Sequence, residues 1–271
     1  MGRPTTQLTF KPLYGCMEGS GGGPLCSLLE IGGVRILLDC GWDIHFDLAV
    51  LEPLRDVLGR VDLVLISHSD LEHLGGLPYA VGRLGLNAPV YCTLPVHKMG
   101  QMGVYDAVLS REQEGDFDVI SLDDVDRAFA QFKPLKFSQH LRLAGRGEGL
   151  TVTPYAAGHV IGGAFWRITW RSEDNDVVYA VSYNHQGERH LKGSALEGVV
   201  GRPSVLISDA HNALTQRHGG PKRRAAELLE VIMATVRGGG NVLIPTDASG
   251  RVLELLDLLD AYWTQPRLGG Y

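Results

Sequence analysis

The chain has 271 residues, a net charge of −6, 44% hydrophobic residues and 21% charged ones. That is enough length and apolar content for a full core, in one large domain or one domain plus part of another. The negative balance excludes a broad basic face for nucleic acid, leaving only a local patch, and no apolar run approaches the ~18 residues of a membrane span.

The start, Met1-Gly2-Arg3-Pro4-Thr5-Thr6, is polar and no apolar stretch follows it, so an intracellular soluble protein without a secretory signal is expected. Met1-Gly2 with Thr6 matches the myristoylation pattern, one short enough to arise by chance. Strands are predicted over Leu8–Leu13, Leu25–Ile31 and Val34–Leu38, the last two joined at Gly32-Gly33, a hairpin signal. Between the first two, Glu18-Gly19-Ser20-Gly21-Gly22-Gly23-Pro24 lacks a Gly-Lys-Ser/Thr ending and a following helix, so it reads as a flexible connection and not a phosphate loop. Cys16, Cys26, Cys40 and Cys92 form no C-x-x-C pair and read as buried, reduced thiols.

A helix is predicted over Asp47–Leu58, then an apolar strand before His68, a helix over Pro78–Leu84 and a strand over Val90–Cys92. A helix starts at Thr93-Leu94-Pro95, with Thr93 as cap, and another runs over Ser121–Phe132 with Asp123 and Asp124 in its first turn. Strands follow at Leu150–Tyr155, Ala164–Trp170, Val177–Tyr183 and Val205–Ser208. A helix over Pro221–Arg237, a strand over Val242–Pro245 and a helix over Arg251–Trp263 complete the pattern. Strands first and alternation later suggest a two-sheet sandwich flanked by helices, then an α/β segment. With no closing element at Leu268-Gly269-Gly270-Tyr271, a piece of a longer protein is expected. Ile66 and Leu206 are expected in the core.

The stretch Leu63-Val64-Leu65-Ile66-Ser67-His68-Ser69-Asp70-Leu71-Glu72-His73-Leu74-Gly75-Gly76 carries the chemistry. A doubly buried strand ends in a loop of His, Asp and Glu, where layered α/β proteins collect their sites. His68 and His73 are candidate metal ligands. His159, in Ala156-Ala157-Gly158-His159-Val160-Ile161-Gly162-Gly163, is a candidate third imidazole, because small residues on both sides let the backbone approach a site. A turn histidine explains it equally well. Asp39, ending its strand, is either a turn former or a group that orients the histidine loop. His185, His190 and His211 lie nearby in sequence and are not expected in the pocket. Pro221-Lys222-Arg223-Arg224 sets three positive charges at a helix start, against the dipole. That is either a contact for phosphate, RNA or an acidic partner, or a solvated helix end.

Asp39, the His68 loop and Gly-His-x-x-Gly-Gly around His159 resemble the metallo-β-lactamase fold, a four-layer αββα sandwich. Asp209 after Val205-Leu206-Ile207-Ser208, with Gly250-Arg251-Val252-Leu253-Glu254-Leu255, resembles the start of a β-CASP domain, the branch of that fold that works on nucleic acids. The resemblance implies an α/β protein with a metallo-β-lactamase-like domain over 1–208 and the beginning of a β-CASP domain over 209–271. Gly82-Arg83-Leu84-Gly85-Leu86-Asn87, Lys98-Met99-Gly100-Gln101-Met102, Leu122-Asp123-Asp124-Val125-Asp126 and Leu135-Lys136-Phe137-Ser138-Gln139 are similar to one family in particular. It is the catalytically silent metallo-β-lactamase/β-CASP family of the cleavage and polyadenylation specificity factor.

In active relatives, the resemblance implies, His68, His159 and a His at position 70 hold the first metal, an Asp at 72 serves the second, and an Asp at 182 bridges both. This chain has Asp70, Glu72 and Ser182. A neutral hydroxyl is a poor bridge between two divalent cations, and the two-metal clamp depends on that bridge. The expectation is a degenerate zinc pocket (Asp39, His68, Asp70, Glu72, His73, His159, Ser182, Asp209) with no catalytic residue and no resident cofactor, a single weak zinc being the remaining option. By resemblance the protein is a nuclear, non-catalytic scaffold of pre-mRNA 3′-end cleavage and polyadenylation. It would associate with the homologous nuclease subunit, other scaffold proteins and pre-mRNA, and with no membrane. The alternatives are a metal-dependent RNA endonuclease with reassigned ligands and the equivalent silent subunit of the Integrator complex.

Overall fold

The computed structural model describes residues 7–15, 23–170, 176–210, 220–246 and 251–264. The first sheet has the strand order β1 (Leu8–Tyr14), β2 (Cys26–Ile31), β3 (Val34–Leu38), β4 (Leu63–Leu65), β5 (Val90–Thr93), β6 (Phe132–Leu135). Its first three strands are antiparallel, and β3 through β6 run parallel. The second sheet has the order β11 (Val205–Ser208), β10 (Asp176–Ala180), β9 (Ala164–Trp170), β8 (Leu150–Ala156), β7 (Leu141–Arg142), antiparallel except for the β10–β11 pair.

Side-chain alternation makes the layers. Leu29, Ile36, Leu38, Leu63 and Leu65 face Val152, Trp166, Ile168, Val177 and Tyr179 between the sheets. Leu28, Leu37, Val64 and Ile66 face the other way, onto α3 (Leu77–Gly82), α4 (Leu94–Glu114) and α5 (Leu122–Phe129). Behind the second sheet, Tyr155, Phe165, Val178 and Ala180 pack against α6 (Leu196–Val199). The order helix, sheet, sheet, helix is the four-layer sandwich expected. After β11 come α7 (Pro221–Arg237) and α8 (Val252–Trp263). Among the described residues no helix is long and apolar enough to cross a membrane.

Local chemistry sets the element ends. Gly32 and Gly33 take positive φ of 57° and 84°, turning β2 into β3 as the hairpin signal requires. Thr93 Oγ1 accepts from the Val96 N–H, and Ser121 with Asp124 forms a capping box. Cys26, Cys40 and Cys92 are buried free thiols; Cys16 lies outside the described residues. So do Met1–Thr6, most of the glycine-rich loop, and His211.

Several expectations need correction. The helix predicted over Asp47–Leu58 is only α1 (Leu48–Leu51) followed by two 3₁₀ turns, because Pro53 has no N–H to give the Ala49 carbonyl. The Ser121 helix stops at Phe129, and Phe132 begins β6, a strand the sequence reading missed together with β7. The strand predicted over Val177–Tyr183 ends at Ala180, ahead of Ser182, whose φ is +47°. Val242–Pro245 forms no strand, and Leu243 is 90% exposed. Leu206 is not core. Val205 and Ile207 point into the sandwich, so alternation turns Leu206 outward at 53% exposure, whereas Ile66 is fully buried.

Candidate functional site

The loops after β3, β4 and β10 and the loop between β8 and β9 meet at one end of the sandwich. They are stitched across the two sheets by Trp166 Nε1–H to the Ile66 carbonyl (3.1 Å) and by Ala164 N–H to the Ser67 carbonyl (2.9 Å). Thr93 Oγ1–H also reaches across, to the Gly162 carbonyl at 2.7 Å, and holds the His159 loop against the start of α4.

Asp39 is fully buried, with a φ of +56°, and its carboxylate is saturated. Oδ1 accepts from the Ser67 N–H, and Oδ2 accepts from the Ser67 and Tyr179 hydroxyls, each at 2.7 Å. Burial raises this carboxyl above its ordinary range, with positive charge on His73 and these three donors pulling it back. Asp39 therefore orients the histidine loop. Because Ser67 Oγ donates to Asp39, it can only accept from His68 Nδ1–H, 2.9 Å away. That fixes the His68 tautomer and leaves a lone pair on Nε2, which is buried and has no hydrogen-bond partner. Gly163 must be glycine here, since a Cβ would sit 2.8 and 2.9 Å from the His68 ring. Burial pushes His68 well below the ordinary histidine range, with His73 adding to the effect.

His73 is in a different state. Its Nδ1 lies 2.5 Å from Asp70 Oδ1, and its Nε2 lies 3.2 Å from Ser182 Oγ. Burial alone would lower it, but Asp70, Asp39 and Glu72 outweigh burial and hold it up at about 9. At neutral pH both ring nitrogens carry protons, so His73 donates to Asp70 on one side and to the Ser182 hydroxyl on the other. Asp–His–Ser is the order of an acid–base–nucleophile relay, yet a charged imidazole cannot take the serine proton. The Ser182 N–H donates in turn to the Asp209 carboxylate.

His159 is half-buried, its ring centroid 5.8 Å from that of His68, with no hydrogen bond among the described residues. Burial lowers it, and the positive charge of Arg251 adds to the effect. Arg251 is ion-paired to Glu188 at 2.7 Å. The sequence reading gave Arg251 no place at the pocket, and it missed Ser67 and Tyr179 too; alternation along β10 was the available signal for Tyr179. Glu72 requires a correction. It is exposed, with no side-chain hydrogen bond or ion pair among the described residues, and only its charge reaches His73. His185 is exposed, and His190 pairs with Glu254 at 2.5 Å. Lys222, Arg223 and Arg224 are exposed at the start of α7, with Arg223 bound to Glu227 at 2.7 Å.

A family model described as the metallo-beta-lactamase superfamily domain matches residues 28–211. The chain belongs to the metallo-beta-lactamase superfamily. It is 47% identical over 260 residues to the Arabidopsis thaliana protein named "Cleavage and polyadenylation specificity factor subunit 2", covering 96% of this chain and 34% of that one. A Drosophila melanogaster protein named as the probable equivalent is 48% identical over 267 residues, covering 98% and 34%. The Dictyostelium discoideum "Integrator complex subunit 11 homolog" is 31% identical over 255 residues, covering 91% and 33%. The chain thus spans about a third of the length of these relatives.

The superfamily implies zinc, and the donors here fit a pair of ions poorly. Zinc takes neutral imidazole nitrogen. His68, with its orphaned Nε2, and the neighbouring His159 meet that condition. His73 has Asp70 on one nitrogen and the Ser182 hydroxyl on the other, so a second ion would have to displace Ser182. With Glu72 exposed and a hydroxyl at 182, the set fits at most one ion.

Proposed function

We propose that this superfamily member is a non-catalytic subunit of the nuclear machinery that cleaves and polyadenylates pre-mRNA 3′ ends. The relatives' names support the link to that machinery. The observation that carries the non-catalytic reading is His73, closed between Asp70 and Ser182 where a dinuclear centre needs free donors. Two-metal hydrolysis needs ions that hold both the attacking and the leaving oxygen, and among the described residues of this pocket no side chain substitutes for that clamp. The subunit's contribution is then assembly: it associates with a homologous metallo-β-lactamase nuclease subunit and other scaffold proteins, close to the RNA.

The test is cleavage of a pre-mRNA substrate by the assembled complex carrying Asp70→Ala or Ser182→Ala. Unchanged cleavage is expected at temperatures where the variant stays folded. Loss of cleavage with assembly intact would sink the reading.

One observation favours a second reading. The orphaned His68 Nε2 beside His159 is a donor pair for one ion, as a metal-dependent endonuclease with reassigned ligands would require. In that case His68→Asn with His159→Ala would abolish cleavage by the complex. The similarity to an Integrator subunit homologue is lower, and the polyadenylation assignment is favoured for that reason.

A further inference from the structure

The misfit between zinc chemistry and this pocket has a structural counterpart. In a dinuclear site the metals also tie together loops that come from both sheets. Here side chains tie the corresponding loops to one another. Asp70 Oδ1 meets His73 Nδ1 at 2.5 Å, His73 Nε2 meets Ser182 Oγ at 3.2 Å, and the Ser182 N–H donates to the Asp209 carboxylate. The contacts join the loop after β4, the loop after β10 and the residue that follows β11. Ser182 and His73 are 109 residues apart in sequence, so this is a long-range cross-link between the two sheets.

We propose that Asp70, His73, Ser182 and Asp209 form a metal-free brace that has taken over the cross-linking role of the second ion and its bridging carboxylate. Three features support it. His73 is 4% exposed, so its nitrogens cannot turn to water if a partner is lost. Ser182 is held at φ +47°, a left-handed conformation that persists in a non-glycine residue only when its surroundings over-determine it. Those surroundings include the two bonds of the brace, one to its hydroxyl and one to its N–H, with the His68 ring against its backbone. The other sheet-to-sheet stitches, at Ile66–Trp166, Ser67–Ala164, Thr93–Gly162 and Asp39–Tyr179, are made without the side chains of His73 and Ser182.

The substitutions that remove ligands are also the ones that build the brace. Asp70 supplies the carboxylate that fixes Nδ1. A serine at 182 supplies a hydroxyl partner for His73 Nε2 at 3.2 Å, a nitrogen that an ion would otherwise cover. This inference rests on the non-catalytic reading for the absence of a second ion, and its test separates the two.

The protein would be purified without chelator, its zinc content measured, and its thermal midpoint recorded with and without EDTA. The comparison set is Ser182→Ala, Asp70→Asn, the exposed control His185→Ala, and a triple variant Asp70→His/Glu72→Asp/Ser182→Asp. The wild-type midpoint should move in EDTA by no more than the loss of a single His68–His159 ion accounts for. Ser182→Ala and Asp70→Asn should each lower it by about 2–4 °C, as loss of one hydrogen bond does in a chain of this size, while His185→Ala leaves it unchanged. Asp70 is half-exposed, so Asp70→Asn remains informative if Ser182→Ala does not fold. The triple variant should gain zinc and become EDTA-sensitive. Wild-type midpoints for both Asp70→Asn and Ser182→Ala, with no zinc bound, would overturn the brace and leave the non-catalytic reading standing. Two retained zinc ions, with a midpoint that falls in EDTA, would overturn both.

Discussion

Tyr179, on the inner face of β10, donates its hydroxyl to Asp39 Oδ2 at the end of β3, across 140 residues of sequence. The same oxygen accepts from Ser67, and Ser67 accepts from His68. One buried carboxylate thus joins the two sheets and sets the tautomer of the pocket's deepest histidine. Tyr179→Phe removes one of its three donors and should cost about 1 kcal/mol, and Asp39→Ala, which leaves the Ser67 N–H and both hydroxyls unpartnered, clearly more. Urea unfolding of the two variants would check the order.

Ile66 and Leu206 were both expected in the core, and only Ile66 is there. Ile66→Ala should destabilise by about 2–5 kcal/mol, in line with large-to-small changes in a packed interior. Leu206→Ala in this chain should stay within about 0.5 kcal/mol of wild type. Denaturant midpoints distinguish the two.

Gly163 lies against the His68 imidazole, with no room for a methyl group. Gly163→Ala should destabilise by about 1–3 kcal/mol through overpacking. Gly103, where a Cβ would meet nothing within 4 Å, is the matched control on α4.

Glu254 docks α8 onto the loop beyond the pocket. Its carboxylate accepts from the backbone N–H groups of Arg189 (2.9 Å) and His190 (3.1 Å) and lies 2.5 Å from His190 Nδ1. The Arg189–Asp257 and Arg251–Glu188 pairs flank it. Burial alone would raise Glu254, but these N–H groups and His190 hold it below the ordinary range. A carboxyl depressed in the folded state adds stability above its unfolded pKa of about 4.3 and loses that stability as pH falls further. The protection of α8 against hydrogen exchange should therefore be constant above about pH 5 and decline on acidification. Glu254→Gln should flatten that acid limb.

Much of this was legible in the sequence where one period or one neighbour decides the outcome. The strands β2, β3, β8 and β9 were legible as short apolar runs between turn signals, and His68, His73 and His159 do converge. The failures have physical causes. β6 is four residues with a proline at the sheet edge, and nothing local marks its parallel pairing with β5. Glu72 is next to His73, but successive side chains on a helical turn are about 100° apart, so adjacency did not bring it into the pocket. Asp70, three residues before His73, falls on the same side of that turn, and this is how it captures Nδ1. Leu206 reads as buried and Val242–Pro245 as a strand because they are apolar, and apolar composition alone does not supply a covering layer or a pairing partner.

We propose that this pocket is closed by its own side chains and holds no pair of ions. Zinc bound per chain, measured after purification without chelator and again after zinc titration, decides the point. No zinc pair is expected, and at most one ion between His68 and His159 that EDTA removes. Two tightly held zinc ions per chain would contradict it.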